Sequence, residues 1–320
     1  MKTMKRIVTI GGGTGTFTVL GALKNAPVHL SAIVSMADDG GSTGILRDSY
    51  GVLPPGDIRR ALVALSEESE AMRELFNYRF GKGDLRGHSF GNIFLSALEK
   101  VTGNFGAAVS EASRILRIKG DVIPVTLDNV RLFARLVDGR VIRGETNIDI
   151  PRVKHRPAIA DIWLTPNARL NPEARQAIRK ADLIVIGPGD IYTSIIPNLL
   201  VRGLAQELRN TKARVAYLCN LTTKAGETDG FTARDFLETM ERYLGKKVLD
   251  YAVFNNRKIP GAIARRYTRE GASVVVPPGE TTWHGATIVT ADLLDARSKK
   301  FVRHGPPEKL ERLLLSLLAK

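Results

Sequence analysis

Short, nearly unbroken apolar runs alternate with longer segments of helical periodicity along most of this chain. The apolar runs cover residues 6–10, 30–36, 121–125, 183–186, 215–218 and 249–254, with 273–276 as a further candidate. The helical patterns between and after them cover 171–180, 195–209, 233–244 and 261–270. A run without apolar–polar alternation is typical of a strand that is buried on both faces of a parallel sheet. Strands joined by helices need right-handed crossovers, so the sequence predicts an α/β fold, Rossmann-like and three-layered (α/β/α), with a mostly parallel sheet.

Two regions interrupt this alternation. Between residues 57 and 118 there is little strand character, and the helices predicted in that region cover 56–65, 70–78, 90–101 and 105–116. Further along, residues 132–137 and 140–144 flank an Asp138-Gly139 pair, which suits the tight turn of a small β-hairpin. A last amphipathic helix is predicted at 307–318. Since no internal repeat or long linker is visible, we expect a single domain over residues 1–320, with residues 57–118 as a helical insertion within it.

Composition and the start of the chain exclude several classes of protein. Hydrophobic residues make up 43% and charged residues 25%, which is typical of a soluble globular chain. No apolar stretch reaches the roughly 20 residues that a membrane span needs. The apolar run after the basic start ends at Ile10, too early for a secretory signal. The single cysteine, Cys219, cannot form an internal disulfide or a thiolate metal cage, and we expect it to be a small buried residue. We therefore expect a cytoplasmic protein without a membrane span.

Charge is the unusual quantity in the composition, because 47 basic and 33 acidic residues give a net charge of +14. Residues 1–150 contribute +3 and residues 151–320 contribute +11. Such an excess suits nucleic acid, an anionic membrane surface or a phosphorylated small ligand. The basic residues are scattered in short groups, and no zinc-finger or basic-zipper pattern is present. The pattern therefore favours a phosphate-bearing ligand, and we expect no nucleic-acid partner.

A glycine-rich bend follows the first predicted strand directly and leads into a helix. The bend contains Gly11, Gly12, Gly13, Thr14 and Gly15. Glycines allow a close approach of the backbone to a ligand, and free N–H groups at a helix start attract anions. The bend resembles a dinucleotide-binding fingerprint, but Thr16 stands at the third glycine position and no Walker A lysine follows. Because open α/β sheets bind ligands at the carboxyl ends of their strands, we predict that these five residues bind a nucleotide.

The second predicted strand ends in two adjacent acids, Asp38 and Asp39, which are followed by Gly40-Gly41. In a dinucleotide fold a single acid at this point would bind a ribose. Two neighbouring carboxylates in an irregular loop can instead share a hard cation, and Mg²⁺ often accompanies phosphate ligands in this way. Alternatively, one carboxylate raises the pKa of the other, which then serves as a general base. The sequence leaves both interpretations open.

Residues Gly87 to Gly91 match the Gly-x-Ser-x-Gly pattern of a nucleophile elbow, which makes a serine hydrolase a rival prediction. An elbow needs a preceding strand, whereas residues 81–86 are polar and rich in glycine. The alternative is that Ser89 is the N-cap of the helix that follows it. His88 and Asn92 would then lie near the same helix terminus, where they could face a ligand.

A second glycine bend follows the buried run at 183–186. Its candidate ligand-binding residues are Gly187, Gly189, Asp190, Thr193 and Ser194. Because they repeat the features of the first bend, we predict that the two bends form one cradle for a pyrophosphate. The predicted strand at 249–254 ends in Asn255 and Asn256, whose amides offer donors and acceptors suited to a base or a sugar.

Taken together and in order, these segments resemble the family of 2-phospho-L-lactate transferases (CofD-like proteins) and, within it, the bacterial gluconeogenesis factors of the YvcK type. The resemblance covers essentially the whole chain. The residues that carry it are Gly11 to Gly15, Asp38 to Ser42, Gly56-Asp57 with Arg59, Gly87 to Asn92, Gly187 to Asn198, Gly226 to Gly230 and Asn255-Asn256. The run at 189–198 and the ending at 301–304 favour the gluconeogenesis-factor branch.

This resemblance implies a Rossmann-like three-layer fold and two sets of functional residues. The transferases join a phospholactyl group to a deazaflavin and release a guanine nucleotide, with Mg²⁺ near the acidic loop, so Asp38 and Asp39 would hold that metal. The bacterial branch is similar to a UDP-sugar-binding protein associated with growth on gluconeogenic carbon sources and with cell shape. For that branch the resemblance implies a sugar-nucleotide site at Tyr267 and Arg303, where an aromatic face packs on a sugar or base and a guanidinium binds a diphosphate.

We therefore expect a cytoplasmic nucleotide-sugar-binding protein, with a ligand such as UDP-N-acetylglucosamine, that supports gluconeogenic growth and cell-wall morphogenesis. The alternative is a Mg²⁺-dependent enzyme of the 2-phospho-L-lactate transferase type, with Asp38, Asp39 and His88 as catalytic residues. An oxidoreductase is disfavoured by the missing third glycine, so no bound flavin or NAD is expected. We further expect a homo-oligomer, with cell-wall synthesis proteins as partners.

Overall fold

The computed structural model describes residues 4–151, 153, 155–295, 297 and 302–319, and a sheet of eight strands lies at its centre. The strands of the described residues are β1 (Arg6–Gly11), β2 (His29–Val34), β3 (Asp121–Pro124), β4 (Arg131–Leu136), β5 (Val141–Arg143), β6 (Ile159–Thr165), β7 (Leu183–Ile186), β8 (Arg214–Leu218), β9 (Tyr251–Asn255), β10 (Thr282–Trp283) and β11 (Ala286–Ala291). The order across the main sheet is β10-β11-β9-β8-β7-β1-β2-β3. All neighbours in it pair in parallel except β10 and β11, so the predicted mostly parallel sheet is confirmed.

Helices flank this sheet and complete the predicted three-layer α/β/α arrangement. They are α1 (Gly13–Leu23), α2 (Gly41–Tyr50), α3 (Gly56–Leu65), α4 (Glu70–Asn77), α5 (Phe90–Thr102), α6 (Phe105–Ile115), α7 (Glu145–Asp149), α8 (Pro172–Lys180), α9 (Ile196–Leu199), α10 (Leu204–Asn210), α11 (Ala233–Leu244), α12 (Gly261–Arg269) and α13 (Pro307–Leu318). The four helices predicted around the 57–118 segment correspond to α3, α4, α5 and α6; that the whole chain is a single domain stays a prediction. Within the described part of the chain, no helix combines the length and the apolar character needed to cross a membrane.

The strand order changes direction between β1 and β7. From β1 the chain runs through β2 to β3 on one side, and from β7 it runs through β8 and β9 to β11 on the other. β1 and β7 are parallel neighbours, with Ile10 opposite Ile186, so the two strands end at the same edge of the sheet. All four side chains of β7 are fully buried, as its unbroken apolar run predicted. A crevice opens at such a switch point, and this is where open α/β sheets bind ligands.

A second, antiparallel sheet has the strand order β5-β4-β6. β4 and β5 pair around the Asp138-Gly139 turn, which confirms the predicted hairpin. Gly139 has a φ of +87°, a backbone conformation that favours glycine. β6 is a third strand that the apolar pattern did not predict. Its Trp163 stacks on Phe133 of β4, with ring centroids 5.7 Å apart, and this pair gives the small sheet an aromatic face.

Two predicted elements differ from the structure. Residues 273–276 form only an isolated bridge to Thr222, and β11 takes the place beside β9 that a further strand was expected to fill. The single helix predicted at 195–209 is interrupted. A π-helical turn (Ile191–Ile195) precedes α9, and Gly203, with a φ of +107°, separates α9 from α10. Both errors arise because apolar content alone does not distinguish a continuous helix or strand from a buried, bent segment.

Candidate functional site

The two glycine bends meet at the carboxyl ends of β1 and β7. A Cβ added at Gly189 would lie 3.4 Å from the carbonyl oxygen of Gly12, and a Cβ added at Gly15 would collide with the carbonyl oxygen of Pro188. Only residues without a side chain allow two backbones to approach so closely. The two bends therefore form the single cradle that the sequence analysis predicted.

These bends line a cleft of about 400 Å³, which we call the glycine cleft. Its lining residues are Gly12, Gly13, Thr14, Gly15, Asp38, Asp57, Arg60, Glu145, Asp149, Gly189, Asp190, Thr193, Ser194 and Lys224. Gly11 and Gly187 belong to the same two bends but are not among these lining residues. The lining contains five carboxylates and only two cationic side chains, so the cleft is acidic although the chain as a whole is basic.

The backbone amide at the start of α1 is hydrogen-bonded to a carboxylate of this protein. The Gly13 N–H donates to Oδ2 of Asp57 over 3.0 Å, and Asp57 lies in the first turn of α3. Burial raises the pKa of Asp57 to about 6, and the nearby charge of Asp38 adds to this effect. The N–H group and the positive end of the helix dipole favour a negative charge here. A phosphate that binds this amide must therefore displace the Asp57 carboxylate from it. Alternatively, a cation between the phosphate and that carboxylate would allow both to remain nearby.

The two adjacent acids of the second loop diverge. Asp38 faces the glycine cleft, where its Oδ1 accepts a hydrogen bond from the Gly40 N–H over 2.9 Å, and burial raises its pKa. Asp39 faces the small sheet instead, since its Oδ1 accepts from the Thr146 N–H over 2.9 Å and its Oδ2 lies 3.7 Å from Arg131. The pair expected to share a metal thus contributes one carboxylate, Asp38, to the cleft.

Glu145 and Asp57 join Asp38 in the cleft and supply the other carboxylates of an acidic cluster. Burial, together with the charges of Asp38 and Asp149, raises the pKa of Glu145 to about 9. Carboxylates that repel one another in a partly buried cleft are stabilised by a cation between them. An all-oxygen donor set fits a hard ion such as Mg²⁺, which is bound in proteins by one or two carboxylates together with phosphate and water. The carboxylates of the cleft lining therefore fit the implied metal in their chemistry, and a metal role for Asp38 and Asp39 stays a prediction.

Lys224 lies at the opposite end of the cleft and is surrounded by three acids. Its Nζ forms ion pairs with Asp149 and with Asp190, the latter at 2.8 Å, and lies 3.7 Å from Oε1 of Glu227. Burial lowers the pKa of Lys224, but the charges of Asp190, Glu227 and Asp149 outweigh it and raise this pKa above its ordinary value, so the side chain is an ammonium at neutral pH. Thr193 of the second bend donates its hydroxyl to Oε1 of Glu227 over 3.2 Å.

His88 lies outside the glycine cleft. Its Nδ1 is 3.1 Å from Oγ of Ser42, and the ring lines a separate groove that also contains Tyr50 and Leu85. Ser89 is 1% exposed, and its Oγ accepts a hydrogen bond from the Asn92 N–H at the start of α5, which confirms the predicted N-cap. No strand leads into this turn, so the geometry of a nucleophile elbow is absent among the described residues around it.

A second cleft of about 390 Å³ continues from the first, and we call it the tyrosine cleft. The two clefts share the lining residues Gly15, Gly189, Asp190 and Lys224. Tyr267 lines it, and its hydroxyl accepts a hydrogen bond from the Val302 N–H over 3.1 Å. His304 is buried there against the Cys219 carbonyl oxygen, and burial lowers the pKa of His304 to about 4, so the ring is neutral. Arg303 is exposed. Its sequence neighbours Val302 and His304 line the tyrosine cleft, whereas Arg303 is not among the lining residues.

Asn255 and Asn256 lie away from both clefts. The side chain of Asn255 is held by backbone groups of two segments. Its Oδ1 accepts from the N–H groups of Arg257 and of Leu293, which follows β11, and its Nδ2 donates to the Arg257 carbonyl oxygen. A nucleotide-binding role for these two asparagines stays a prediction. Cys219 is 1% exposed, and burial raises the pKa of its thiol to about 12, which confirms the expected small buried residue.

Sequence reasoning missed the charged residues that close the glycine cleft. They are Arg60, Glu145, Asp149 and Lys224. Asp57 and Glu227 were named only as members of matching segments, without a role. These residues come from α3, α7 and the loop after β8, and no local spacing relates these segments to the glycine bends. The signal available in the sequence was the Gly226 to Gly230 segment, to which the predicted strand at 215–218 leads.

Comparisons with known proteins agree with this architecture. A family model described as 2-phospho-L-lactate transferase CofD matches residues 7–294. The gluconeogenesis factor of Bacillus subtilis is 41% identical over 316 residues, which cover 98% of both chains. The gluconeogenesis factor of Halalkalibacterium halodurans is 41% identical over 274 residues, 85% of this chain and 84% of that protein. A crystal structure of a protein from Bacillus halodurans superposes with a TM-score of 0.93 at 37% identity, covering 98% of this chain and all of that one.

Proposed function

Because this chain belongs to the CofD family and to its gluconeogenesis factors, we propose that it binds a nucleoside-diphosphate sugar across the two clefts. UDP-N-acetylglucosamine is the ligand we expect. One observation carries the proposal: two glycine bends meet at the switch point of a parallel sheet and open into a cleft that continues to Tyr267. Together the clefts have the size and the location of a cofactor-sized ligand site in an α/β fold.

In this proposal the diphosphate lies in the glycine cleft. Backbone N–H groups of the bends donate to it, and Arg60 and Lys224 neutralise part of its charge. A divalent cation held by Asp38 and Asp57, with Glu145 nearby, would bridge the acids to the phosphates by supplying the positive charge that the cleft lacks. The base or the sugar then packs on the ring of Tyr267 in the tyrosine cleft, and Arg303 reaches over the ligand from the adjacent segment.

The biological role that we propose follows from this ligand. A cytoplasmic protein that senses a sugar nucleotide couples the supply of cell-wall precursors to growth on gluconeogenic carbon sources and to cell shape. Cell-wall synthesis proteins are the partners expected to respond to the bound form, and a homo-oligomer is the expected assembly. The family relationship to gluconeogenesis factors supports the link to carbon source.

Calorimetric titration with UDP-N-acetylglucosamine in the presence of Mg²⁺ tests the proposed ligand. We expect saturable binding that weakens about tenfold in Tyr267→Ala, because stacking on an aromatic ring contributes roughly 1–3 kcal/mol per base. Tyr50→Ala is the matched control, since Tyr50 is 61% exposed and lies outside both clefts. Absence of heat at millimolar ligand would exclude the proposed ligand, and equal weakening in both variants would remove Tyr267 from the site.

The acidic cluster favours a second candidate function, a Mg²⁺-dependent transferase of the 2-phospho-L-lactate type that uses a nucleotide-activated donor. Asp38 and Asp57 meet in the glycine cleft beside the proposed phosphate position, as metal-assisted phosphoryl chemistry requires. His88 would have to act from outside this cleft.

The divergence of Asp38 and Asp39 provides the test of this candidate. Release of nucleotide from an activated donor should be lost in Asp38→Asn, whereas Asp39→Asn should retain turnover because Asp39 faces Thr146. Circular dichroism confirms that each variant is folded. Full turnover in Asp38→Asn would exclude the transferase mechanism, and no turnover in the wild type would leave the binding function alone.

A further inference from the structure

The ammonium group of Lys224 lies where the glycine cleft joins the tyrosine cleft, and it is among the residues that line both. The side chain is 31% exposed. Its Nζ is surrounded by the carboxylates of Asp149, Asp190 and Glu227, a set that we call the carboxylate cage. These four residues differ from Asp38, Asp57 and Glu145, and the two sets adjoin on α7, where the charge of Asp149 acts on Glu145.

Three distant segments build the cage. Asp149 is the last residue of α7, Asp190 precedes the π-helical turn after β7, and Glu227 lies in the loop after β8. One oxygen of each lies within 4.8 Å of the others. Burial and the charge of Asp190 raise the pKa of Glu227 well above its ordinary value, so a negative charge at all three positions is unfavourable unless a cation lies between them. The fold therefore creates a position for one positive charge.

A second observation also indicates a cation-binding position. The Glu227 side chain is fully buried, and its Oε2 has no hydrogen-bond partner within the part of the chain that the structure describes. Its Oε1 accepts from the Thr193 hydroxyl, which fixes the carboxyl group in orientation. A buried acceptor without a donor is unfavourable, so the unpartnered oxygen of Glu227, a member of this carboxylate set, indicates capacity for a cation.

We propose that Asp149, Asp190 and Glu227 form a cation site that this chain fills with its own Lys224 ammonium, and that the same carboxylates bind a divalent cation such as Mg²⁺ or Mn²⁺ when that ammonium is removed. An ammonium is a compact point charge, and here it donates hydrogen bonds to Asp149 and Asp190 and lies 3.7 Å from Glu227. Hard divalent cations prefer the same oxygen ligands. Lys224 thus takes the place of a metal ion at this end of the cleft.

The consequence for the ligand follows from the covalent attachment of this charge. A metal ion leaves when its concentration falls, whereas the ammonium of Lys224 stays in the cleft at any metal concentration. If the diphosphate binds here, which rests on the proposed function, Lys224 lowers the negative charge of this part of the cleft at any metal concentration, and the ion at Asp38 and Asp57 supplies further positive charge.

Titration of the full chain with Mn²⁺, followed by the loss of the free-ion electron paramagnetic resonance signal, tests the proposal without any nucleotide. Lys224→Met should bind one more Mn²⁺ per chain than the wild type. Lys224→Met combined with Glu227→Gln should lose this additional ion. Lys224→Arg, which keeps a cation in place, should match the wild type. Equal Mn²⁺ stoichiometry in the wild type and Lys224→Met would overturn the proposal.

Thermal unfolding gives an independent measurement on the same proteins. Lys224→Met leaves three carboxylates without a counter-charge and should unfold at a lower temperature than the wild type, and Mn²⁺ should raise its Tm more than it raises that of the wild type. If Lys224→Met is insoluble, Lys224→Gln retains an amide donor for Asp190 and has the same expected outcome. Equal Tm shifts with Mn²⁺ would overturn the proposal. Since no nucleotide is present, either result is independent of the proposed ligand.

Discussion

Glu145 lies at the first position of α7, among the acids of the glycine cleft, and its pKa is raised to about 9 by burial and by the charges of Asp38 and Asp149. An acid whose pKa is higher in the folded than in the unfolded chain contributes most to stability when it is protonated in both states. The unfolded chain loses this proton near the ordinary pKa of a glutamate, whereas the folded chain keeps it up to about pH 9. Stability from this group therefore falls as the pH rises through that interval.

We predict that Glu145→Gln is more stable than the wild type at alkaline pH and that the difference grows with pH. The limiting slope for one group is about 1.4 kcal/mol per pH unit, and solvent in the cleft will reduce it. Urea unfolding at about pH 5, 7 and 9 measures the effect. Glu74→Gln, at an exposed position of α4, is the control. A pH-independent difference between Glu145→Gln and the wild type would contradict the assignment.

The residues of the site divide into those that sequence patterns indicate and those that only the fold brings together. Glycines at a strand end have a conformational reason to be there, so both bends could be predicted. The adjacent acids Asp38 and Asp39 did not indicate which carboxylate faces the cleft. Asp39 faces away from it because it accepts a hydrogen bond from Thr146, more than a hundred residues further along the chain. Asp57 takes the place beside Asp38 through a contact with Gly13, which local sequence does not reveal.

At the level of elements, the approach of the two bends gives a matched pair of substitutions in α1. A Cβ at Gly15 would collide with the Pro188 carbonyl oxygen and contact its ring, whereas a Cβ at Gly21 meets nothing within 4 Å. We predict that Gly15→Ala destabilises the protein by about 1–3 kcal/mol, as overpacking does. Gly21→Ala should stabilise it by about 0.5–1 kcal/mol, because alanine favours a helix.

Urea unfolding of the two variants and the ligand titration described above provide the measurements. Gly15→Ala should also weaken ligand binding, since moving one bend separates the amides of the cradle. If Gly15→Ala and Gly21→Ala changed stability in the same direction, the two bends would not be in contact in solution.

Main-sheet strands with a continuous apolar run were predictable, the edge strand β3 included, and strands without such a run were not. The unbroken run of β7 has no exposed side chain and was predicted at its observed bounds. β11 has only one fully buried residue, and β6 alternates between half-buried and buried positions, so neither has a continuous apolar run. The bent segment from Ile191 to Asn210 is apolar enough to look like one helix, and its breaks depend on backbone geometry at Asp190 and Gly203.

For the molecule as a whole, topology accounts for the site better than composition does. The net charge of +14 suggests a basic ligand-binding surface, yet the glycine cleft is acidic. A positive net charge attracts anionic ligands at long range. Within the cleft, however, the carboxylates repel an anionic ligand unless a cation neutralises them. The strand order sets this arrangement, because it brings the ends of β1, β2, β7 and β8 to one edge. Strand order depends on long-range packing and could not be derived from the apolar runs alone.

The two tryptophans of the chain test whether it unfolds as one unit, as a single domain over residues 1–320 would. Trp163 lies in the small sheet and Trp283 at the edge of the main sheet. Two contacts connect these regions through α11: Arg242 donates to the Ala160 carbonyl oxygen over 2.8 Å, and Arg234 lies 5.2 Å from the Trp283 ring. Loss of either sheet would therefore disturb the same helix.

We predict that single-tryptophan variants, Trp163→Phe and Trp283→Phe, each show a fluorescence transition in urea that coincides with the circular dichroism transition of the same variant. Comparison within one variant removes the effect of the substitution on stability. Coincident transitions from probes in two different sheets are expected when unfolding is cooperative. A fluorescence midpoint of Trp163 well below the circular dichroism midpoint would show that the small sheet unfolds separately. In that case the acids of α7, which follows the β4–β5 hairpin directly, would leave the glycine cleft without unfolding of the main sheet.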